Sequence, residues 1–251
     1  MEEINMTDNI YKILENEKIA SKTYRMVLGG DTGSIKNCGQ FVNIRLEGFY
    51  LRRPISVCDY DEKTLTIIYK TVGNGTEFMS TLPEGYELDI LVGLGNGFNV
   101  SKSGETPLLV GGGVGLPPMY NLCKKLVEAG KKPTVILGFK TAEEVFYEEE
   151  FSALGANVIV VTEDGSKGEK GMVTDVIPSL SYSYFYACGP MAMLKAMAKI
   201  MKSEGEYSFE QRMGCGFGAC MGCSCKTKNG FKRICREGPV LSSEEIIWEE
   251  M

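Results

Sequence analysis

Over residues 1 to about 100, apolar positions come in short runs rich in β-branched and aromatic residues. The runs are Tyr24 to Leu28, Phe41 to Leu46, Thr64 to Lys70 and Tyr86 to Val92. They alternate in part and are separated by Gly, Asn and Asp turns, which is the pattern of short strands. No amphipathic helix of useful length is expected here. The pattern predicts an antiparallel barrel or sandwich.

From about residue 103 to 205 the period changes. Pro107 to Val110 reads as a buried strand, followed by a glycine loop and a helix from about Pro117 to Ala129. Thr134 to Phe139 is a strand, with an acidic helical stretch from Ala142. Asn157 to Val161 and Tyr182 to Ala187 are further strands, and Pro190 to Ser203 is a helix rich in Met, Ala and Lys. Strand–helix alternation implies a parallel sheet with right-handed crossovers. Its ligand belongs at the carboxyl ends of the strands. The remainder opens with the strand-like YSFEQRM and becomes a loop rich in Cys and Gly. The expected division is therefore 1–100, 101–205 and 206–251, without a low-complexity linker.

Composition narrows the function. Hydrophobic residues make up 43% and charged residues 24%, enough apolar material for two cores. The net charge of −6, with no dense Lys/Arg stripe, argues against nucleic acid. The N-terminal MEEINMTDNI lacks the basic and apolar regions of an export signal. The apolar run Pro107 to Met119 is broken by Gly and Pro and is too short to span a membrane. A cytoplasmic protein without membrane contact is expected.

There are nine cysteines and no histidine. An odd count without an export signal argues against a disulfide framework. Missing histidine excludes a Cys2His2 zinc site, a Rieske centre, His-ligated haem and every Ser–His or Cys–His catalytic arrangement.

Cys215, Cys220 and Cys223 have the spacing C-x4-C-x2-C, the plant-type ferredoxin spacing for a [2Fe–2S] cluster. Cys235 is the candidate fourth ligand, and Cys225 a small buried neighbour. Glycines 214, 216, 218 and 222 suit a loop wrapped around a cluster. A zinc site is the alternative, although structural zinc favours two short C-x2-C pairs.

Three further segments can hold phosphates. In LRRPIS (51–56), an Arg and a Ser on an extended strand offer a guanidinium fork and a hydroxyl, although a surface Arg pair is far more often solvated. IYKTVGNGT (68–76) runs a strand into a glycine turn, either a phosphate cradle or a plain hairpin. GGGVGLPP (111–118), between a strand and a helix, suits a dinucleotide loop, although Pro117 breaks the G-x-G-x-x-G fingerprint. In ACGPM (187–191), Cys188 either faces a bound ring or is a buried thiol. Thr162, Glu163 and Asp164 end a strand where an acidic group favours a ribose diol over a 2′-phosphate, or simply form a turn.

With these motifs in this order, the chain resembles the ferredoxin–NADP reductase superfamily over essentially its whole length. More narrowly, it resembles the electron-transfer subunits of type B dihydroorotate dehydrogenases. The resemblance implies an antiparallel FAD-binding β-barrel, then an α/β NAD-binding domain, then a [2Fe–2S] region. It assigns FAD to Arg53, Pro54, Ile55 and Ser56, to Ile68, Tyr69 and Lys70, and to Gly75 and Thr76. It assigns the cluster to Cys215, Cys220, Cys223 and Cys235. Ile55 stands where the wider superfamily usually has a Tyr on the flavin ring. NAD is expected at Gly111, Gly112, Gly113, Gly115, Cys188, Gly189 and Pro190.

In that family dihydroorotate is oxidised for pyrimidine biosynthesis in a separate FMN-containing catalytic subunit, in an expected heterotetramer of two of each. Electrons cross to [2Fe–2S], then FAD, then NAD+. No catalytic residue beyond the cofactors is then required, with Cys188 the one candidate near the rings. Two alternatives remain at this point: a subunit of another ferredoxin- or sulfide-linked NAD(P) oxidoreductase, and a zinc-stabilised nucleotide-binding protein without enzymatic activity.

Overall fold

The computed structural model describes residues 9–251. The acidic start of the chain, read above against an export signal, lies outside them up to residue 8. The first region is a closed six-stranded antiparallel barrel. Its strands are β1 (Ile10–Ala20), β2 (Thr23–Gly29), β3 (Phe41–Ile44), β4 (Arg53–Tyr60), β5 (Thr64–Lys70) and β6 (Glu87–Leu94), in spatial order β1-β2-β5-β4-β3-β6. Alternation fills the interior. Val42 and Ile44 of β3, and Leu65, Ile67 and Tyr69 of β5, point inward among Met26, Leu28, Leu88 and Ile90.

One helix, α1 (Asn74–Thr81), lies between β5 and β6. The pattern, which shows no amphipathic helix of useful length here, did not announce this two-turn element. Two turns containing a Gly and four hydroxyl or amide residues carry little 3.6-residue periodicity, and tertiary contacts hold such a short helix. Strand β1 also escaped the pattern, because its inward positions Tyr11 and Ile13 are followed by mostly exposed residues.

The second region is built on a seven-stranded sheet. Its elements are β7 (Leu108–Gly112), α2 (Pro117–Glu128), β8 (Thr134–Phe139), α3 (Glu148–Ala153), β9 (Asn157–Thr162), β10 (Glu169–Lys170), α4 (Val173–Val176), β11 (Phe185–Cys188), α5 (Met191–Ala198) and β12 (Gly205–Ser208). The order is β10-β9-β8-β7-β11-β12-β15, where β15 (Val240–Ser242) is the only antiparallel member. The acidic stretch after Ala142 is a 3-10 turn, with α3 beginning later, at Glu148. α5 ends at Ala198, short of the expected Ser203.

The last region is tied into this sheet. β12 pairs in parallel with β11, and β15 returns to pair with β12. Between them stand the cysteine loop and a hairpin, β13 (Ser224–Thr227) and β14 (Gly230–Arg233). Trp248 packs edge-on to Tyr207, with ring centroids 5.0 Å apart. Asn96, just past the barrel, clasps the returning chain: its Nδ2 donates to the carbonyls of Glu237 (3.0 Å) and Val240 (2.7 Å), and its Oδ1 accepts the Val240 N–H at 3.1 Å.

Barrel and sheet share one apolar core, since Cys58 and Ile68, on the outer face of the barrel, pack with Leu116, Met119 and Cys123 around α2. Polar ties flank it. Asp59 accepts Lys124 Nζ at 2.9 Å and Asn121 Nδ2 at 3.1 Å, and Lys70 pairs with Glu144 at 2.7 Å. Among the described residues no helix is long and apolar enough to cross a membrane.

Ile67 is fully buried in the barrel. Ile67→Ala is expected to destabilise by about 2–5 kcal/mol, read as a fall in the urea midpoint with unchanged slope. An unchanged midpoint contradicts this account of the barrel core.

Candidate cofactor sites at the barrel and sheet edges

The flavin-type segments meet at one end of β4. Gly75, in the first turn of α1, lies against the Arg53 guanidinium so closely that any Cβ there would overlap it. The Arg53 guanidinium also sits 4.8 Å over the Phe49 ring. The first-turn amides of a helix have no intrahelical partner, so this arginine and the start of α1 present N–H donors together. Thr76 turns its hydroxyl back into its own loop: Oγ1 accepts the Val72 N–H at 2.9 Å and donates to the Gly73 carbonyl at 3.0 Å.

Strand alternation sorts the remaining residues. Asn43 pairs in register with Pro54, and Phe41 with Ser56. These lie on the outer face, because Val42, between them, belongs to the barrel core. Ile55 packs toward the barrel core. Ile68 and Lys70 face outward, whereas Tyr69 is buried inside with its hydroxyl donating to Asn16 Oδ1 at 2.9 Å. Tyr69 therefore offers a ligand its backbone and not its ring.

The nucleotide-type glycines converge at the carboxyl edge of the sheet. β7 and β11 are parallel neighbours, with Gly111 opposite Cys188. Gly115 approaches the Cys188 carbonyl too closely for any side chain. A Cβ on Gly112 would lie 2.6 Å from Met193 Sδ and 3.0 Å from Pro190 Cδ. Gly189 stands against Gly112 in turn, and Gly113, at φ +53°, faces open space. Pro117 and Pro118 open α2, where their missing N–H groups cost nothing.

The Cys188 thiol is buried and pushed up to about 12, first by desolvation and then by the Glu210 carboxylate. It stays a neutral thiol across the physiological range. Asp164 spends its Oδ1 on its own turn, accepting the Ser166 N–H at 2.9 Å and the Ser166 hydroxyl at 2.6 Å.

None of the nine cysteines is joined in a disulfide. In the loop Cys215 lies beside Cys220 and Cys235 beside Cys223, with Cys215 near enough to act on Cys235 electrostatically. Among the described residues, no three Cys, Asp or Glu side chains converge on a single metal position. The loop is nevertheless shaped for sulfur ligands. Ala219 and Cys220 donate backbone N–H groups to Cys215 Sγ at 3.2 and 3.4 Å, and the Cys235 N–H points to Cys223 Sγ at 3.4 Å. Gly216 and Gly218 hold φ of +80° and +93°, which bends the chain around the sulfurs. Burial opposes ionisation of Cys215, but hydrogen bonds from Cys220, Phe217 and Ala219 outweigh it and bring the thiol down to about 6. N–H donors aimed at an anionic sulfur suit a thiolate ligand. Cys225 is buried and lies on β13.

Sequence spacing missed the residues that hold this loop. Arg233 Nη1 donates to the Gly218 carbonyl at 2.7 Å, while its Nε donates to Glu237 Oε2 at 2.9 Å. Asn43 Nδ2 donates to the Cys215 carbonyl at 3.2 Å. A contact spanning 172 residues leaves no local pattern. A surface cleft of about 290 Å³ lined by Glu17, Arg25, Tyr147 and Glu150 shares no residue with the three cofactor segments.

The barrel followed by a parallel sheet and a cysteine loop defines a nicotinamide-linked oxidoreductase of the ferredoxin reductase type. The structure superposes with a TM-score of 0.86 on a solved NADH-dependent reduced ferredoxin–NADP oxidoreductase, at 30% identity over 95% of this chain and 90% of that one. Residues 109–199 match the oxidoreductase NAD-binding domain, and residues 210–247 the iron-sulfur cluster binding domain of dihydroorotate dehydrogenase B. The dihydroorotate dehydrogenase B (NAD(+)) electron transfer subunit of Fusobacterium nucleatum is 44% identical over 92% of this chain and 95% of its own length. That of Bacillus mycoides is 43% identical over 94% and 96%. The chain belongs to the family of dihydroorotate dehydrogenase B (NAD(+)) electron transfer subunits.

The Arg233–Glu237 clamp makes a pH-dependent prediction. Hydrogen bonds from Arg233 hold the Glu237 carboxyl at about 2, below its ordinary 4.5. A depressed carboxyl contributes stability that is fully present above the ordinary value and lost as pH falls toward the folded one. The difference in Tm between the wild type and Glu237→Gln is therefore constant from pH 5 to 8 and shrinks below about 4.5. A difference that grows on acidification contradicts the clamp.

Proposed function

We propose that this chain carries electrons from the FMN of a catalytic dihydroorotate dehydrogenase subunit, through a [2Fe–2S] cluster and FAD, to NAD+ in pyrimidine biosynthesis. The observation that carries this reading is the docking of the ferredoxin-type cysteine loop on the same barrel wall that bears RPIS, within a chain of this family. FAD, when bound, exchanges single electrons with the cluster and a hydride with NAD+.

The chain's own residues bind and orient. Arg53 and the start of α1, at Gly75 and Thr76, hold the flavin pyrophosphate by a guanidinium fork and backbone N–H groups. Pro54 and Ser56 would present side chains to the flavin, and Ile55, Ile68, Tyr69 and Lys70 would present backbone. Gly111, Gly112, Gly113 and Gly115, with Cys188, Gly189 and Pro190, form the NAD edge, where lack of side chains permits close approach. Cys215, Cys220, Cys223 and Cys235 hold the cluster. Cys188, a buried neutral thiol beneath the NAD edge, would transfer no proton. The assembly is a heterotetramer of two subunits of each kind, and it works in the cytoplasm, where thiols such as these nine stay reduced.

A second reading keeps the cofactors and changes the donor to a ferredoxin, favoured by the likeness to the ferredoxin–NADP oxidoreductase. The purified chain is expected to show flavin absorbance and, after reduction, a [2Fe–2S] electron paramagnetic resonance (EPR) signal. With an FMN-type partner subunit it is expected to reduce NAD+ at the expense of dihydroorotate. A colourless protein with stoichiometric zinc contradicts the proposal, and turnover with reduced ferredoxin but not with that partner favours the second reading.

Single variants test the ligand set. Cys235→Ala loses the EPR signal and keeps FAD, and Cys225→Ala keeps both. The reverse outcome assigns the fourth ligand to Cys225.

A further inference from the structure

Asn43 stands where the barrel meets the cysteine loop, and no motif of the sequence points to it. It is 1% exposed, on the outer face of β3. Its neighbour two residues back, Phe41, packs outward with Cys223, Cys235 and Tyr207. Its cross-strand partner is Pro54 of the flavin segment. Nδ2 donates to the carbonyl of Cys215 at 3.2 Å. A carbonyl only accepts, so this contact fixes which end of the amide faces the loop.

Two further observations separate Asn43 from ordinary wall packing. Gly216 holds φ +80°, and a Cβ there would overlap Asn43 Nδ2, so the Cys215–Gly216 peptide is moulded onto this one amide. Meanwhile Asn43 Oδ1 is buried without a hydrogen-bond partner among the described residues. What the amide gives the loop is its N–H donor, aimed at the Cys215 carbonyl.

We propose that Asn43 is a positioning residue for the [2Fe–2S] cluster: it pins the Cys215 end of the ligand loop to the flavin-bearing strand and thereby sets the cluster's electronic environment. The proposal rests on Cys215 being a cluster ligand. The Cys215 sulfur takes N–H donors from Ala219 and Cys220. Hydrogen bonds to ligand sulfurs tune a cluster's potential and spectrum. The orientation of the Cys215–Gly216 peptide fixes where those donors start, and Asn43 fixes that peptide.

Full-length wild type, Asn43→Asp and Asn43→Leu are compared as purified holoproteins. Asp keeps the shape and loses the donor, whereas Leu removes both polar ends. Four quantities are read: FAD content, the g-values of the reduced cluster, the cluster and flavin midpoint potentials, and the rate of iron release to a chelator. The expected result is stoichiometric FAD with an unchanged flavin midpoint in both variants. The cluster g-values and midpoint shift, and iron release to the chelator accelerates, in line with the weaker metal hold that follows loss of an outer-shell partner. A purely structural role lowers Tm without moving the cluster midpoint or g-values.

Wild-type cluster parameters in both variants overturn the proposal while leaving the cysteine assignment intact. Joint loss of FAD and cluster in both variants also overturns it, because Asn43 then serves the barrel and not the loop. Absence of a cluster from the wild type itself overturns the cysteine assignment, and this inference with it.

Discussion

The pairing of Phe41 with Ser56 and of Asn43 with Pro54 puts four side chains on the outside of the barrel, and the rest of the chain is organised around covering them. An antiparallel barrel has one packed face and one that is solvated unless something lies against it. Here the sheet covers part of that outer face through Cys58 and Ile68. The C-terminal segment covers another part, through the core that Phe41 shares with Cys223, Cys235 and Tyr207. The strand that carries RPIS, the glycine edge of the sheet and the cysteine loop are thereby drawn to one wall. Electron transfer between separate cofactors needs that convergence, and apolar burial supplies it.

The C-terminal segment reaches this position because β15 adds to the sheet edge beside β12. The chain leaves the sheet after Ser208, forms the loop and hairpin, and returns at Val240, so the loop is anchored at both ends. Asn96 grips the returning end, and Arg233 ties Gly218 to Glu237 inside it. Two anchors and an internal clamp let a glycine-rich loop hold a defined shape, although glycine costs more conformational entropy on folding than any other residue.

Most of the architecture could be read from the sequence because short β-branched runs give way, after about residue 103, to strand–helix alternation. The alternation in Thr64 to Lys70 and the buried runs Pro107 to Val110 and Thr134 to Phe139 became β5, β7 and β8. α1 stayed hidden because two polar turns have no periodicity to show. β1 stayed hidden because most of it faces solvent. Among the proposed site residues, C-x4-C-x2-C and GGGVG can be picked out by spacing, because residues proposed for one cluster or one phosphate loop are neighbours in sequence. Asn43 cannot, because its contact joins segments 172 residues apart, and Arg233 and Glu237 cannot, because an i,i+4 ion pair in sequence looks like any solvated pair of charges. The sequence pattern also could not show that Tyr69 points into the barrel, since that depends on the register of one strand.

The central claim is that the cluster loop and the flavin segment share one barrel wall within a single chain. EPR power saturation of the flavin radical tests it directly, with the [2Fe–2S] cluster reduced in the wild type and absent in Cys235→Ala. A paramagnetic cluster on the same wall must speed relaxation of the flavin signal, so the wild-type radical is expected to saturate at markedly higher power. Identical saturation in the two proteins would place the cofactors apart and contradict the account.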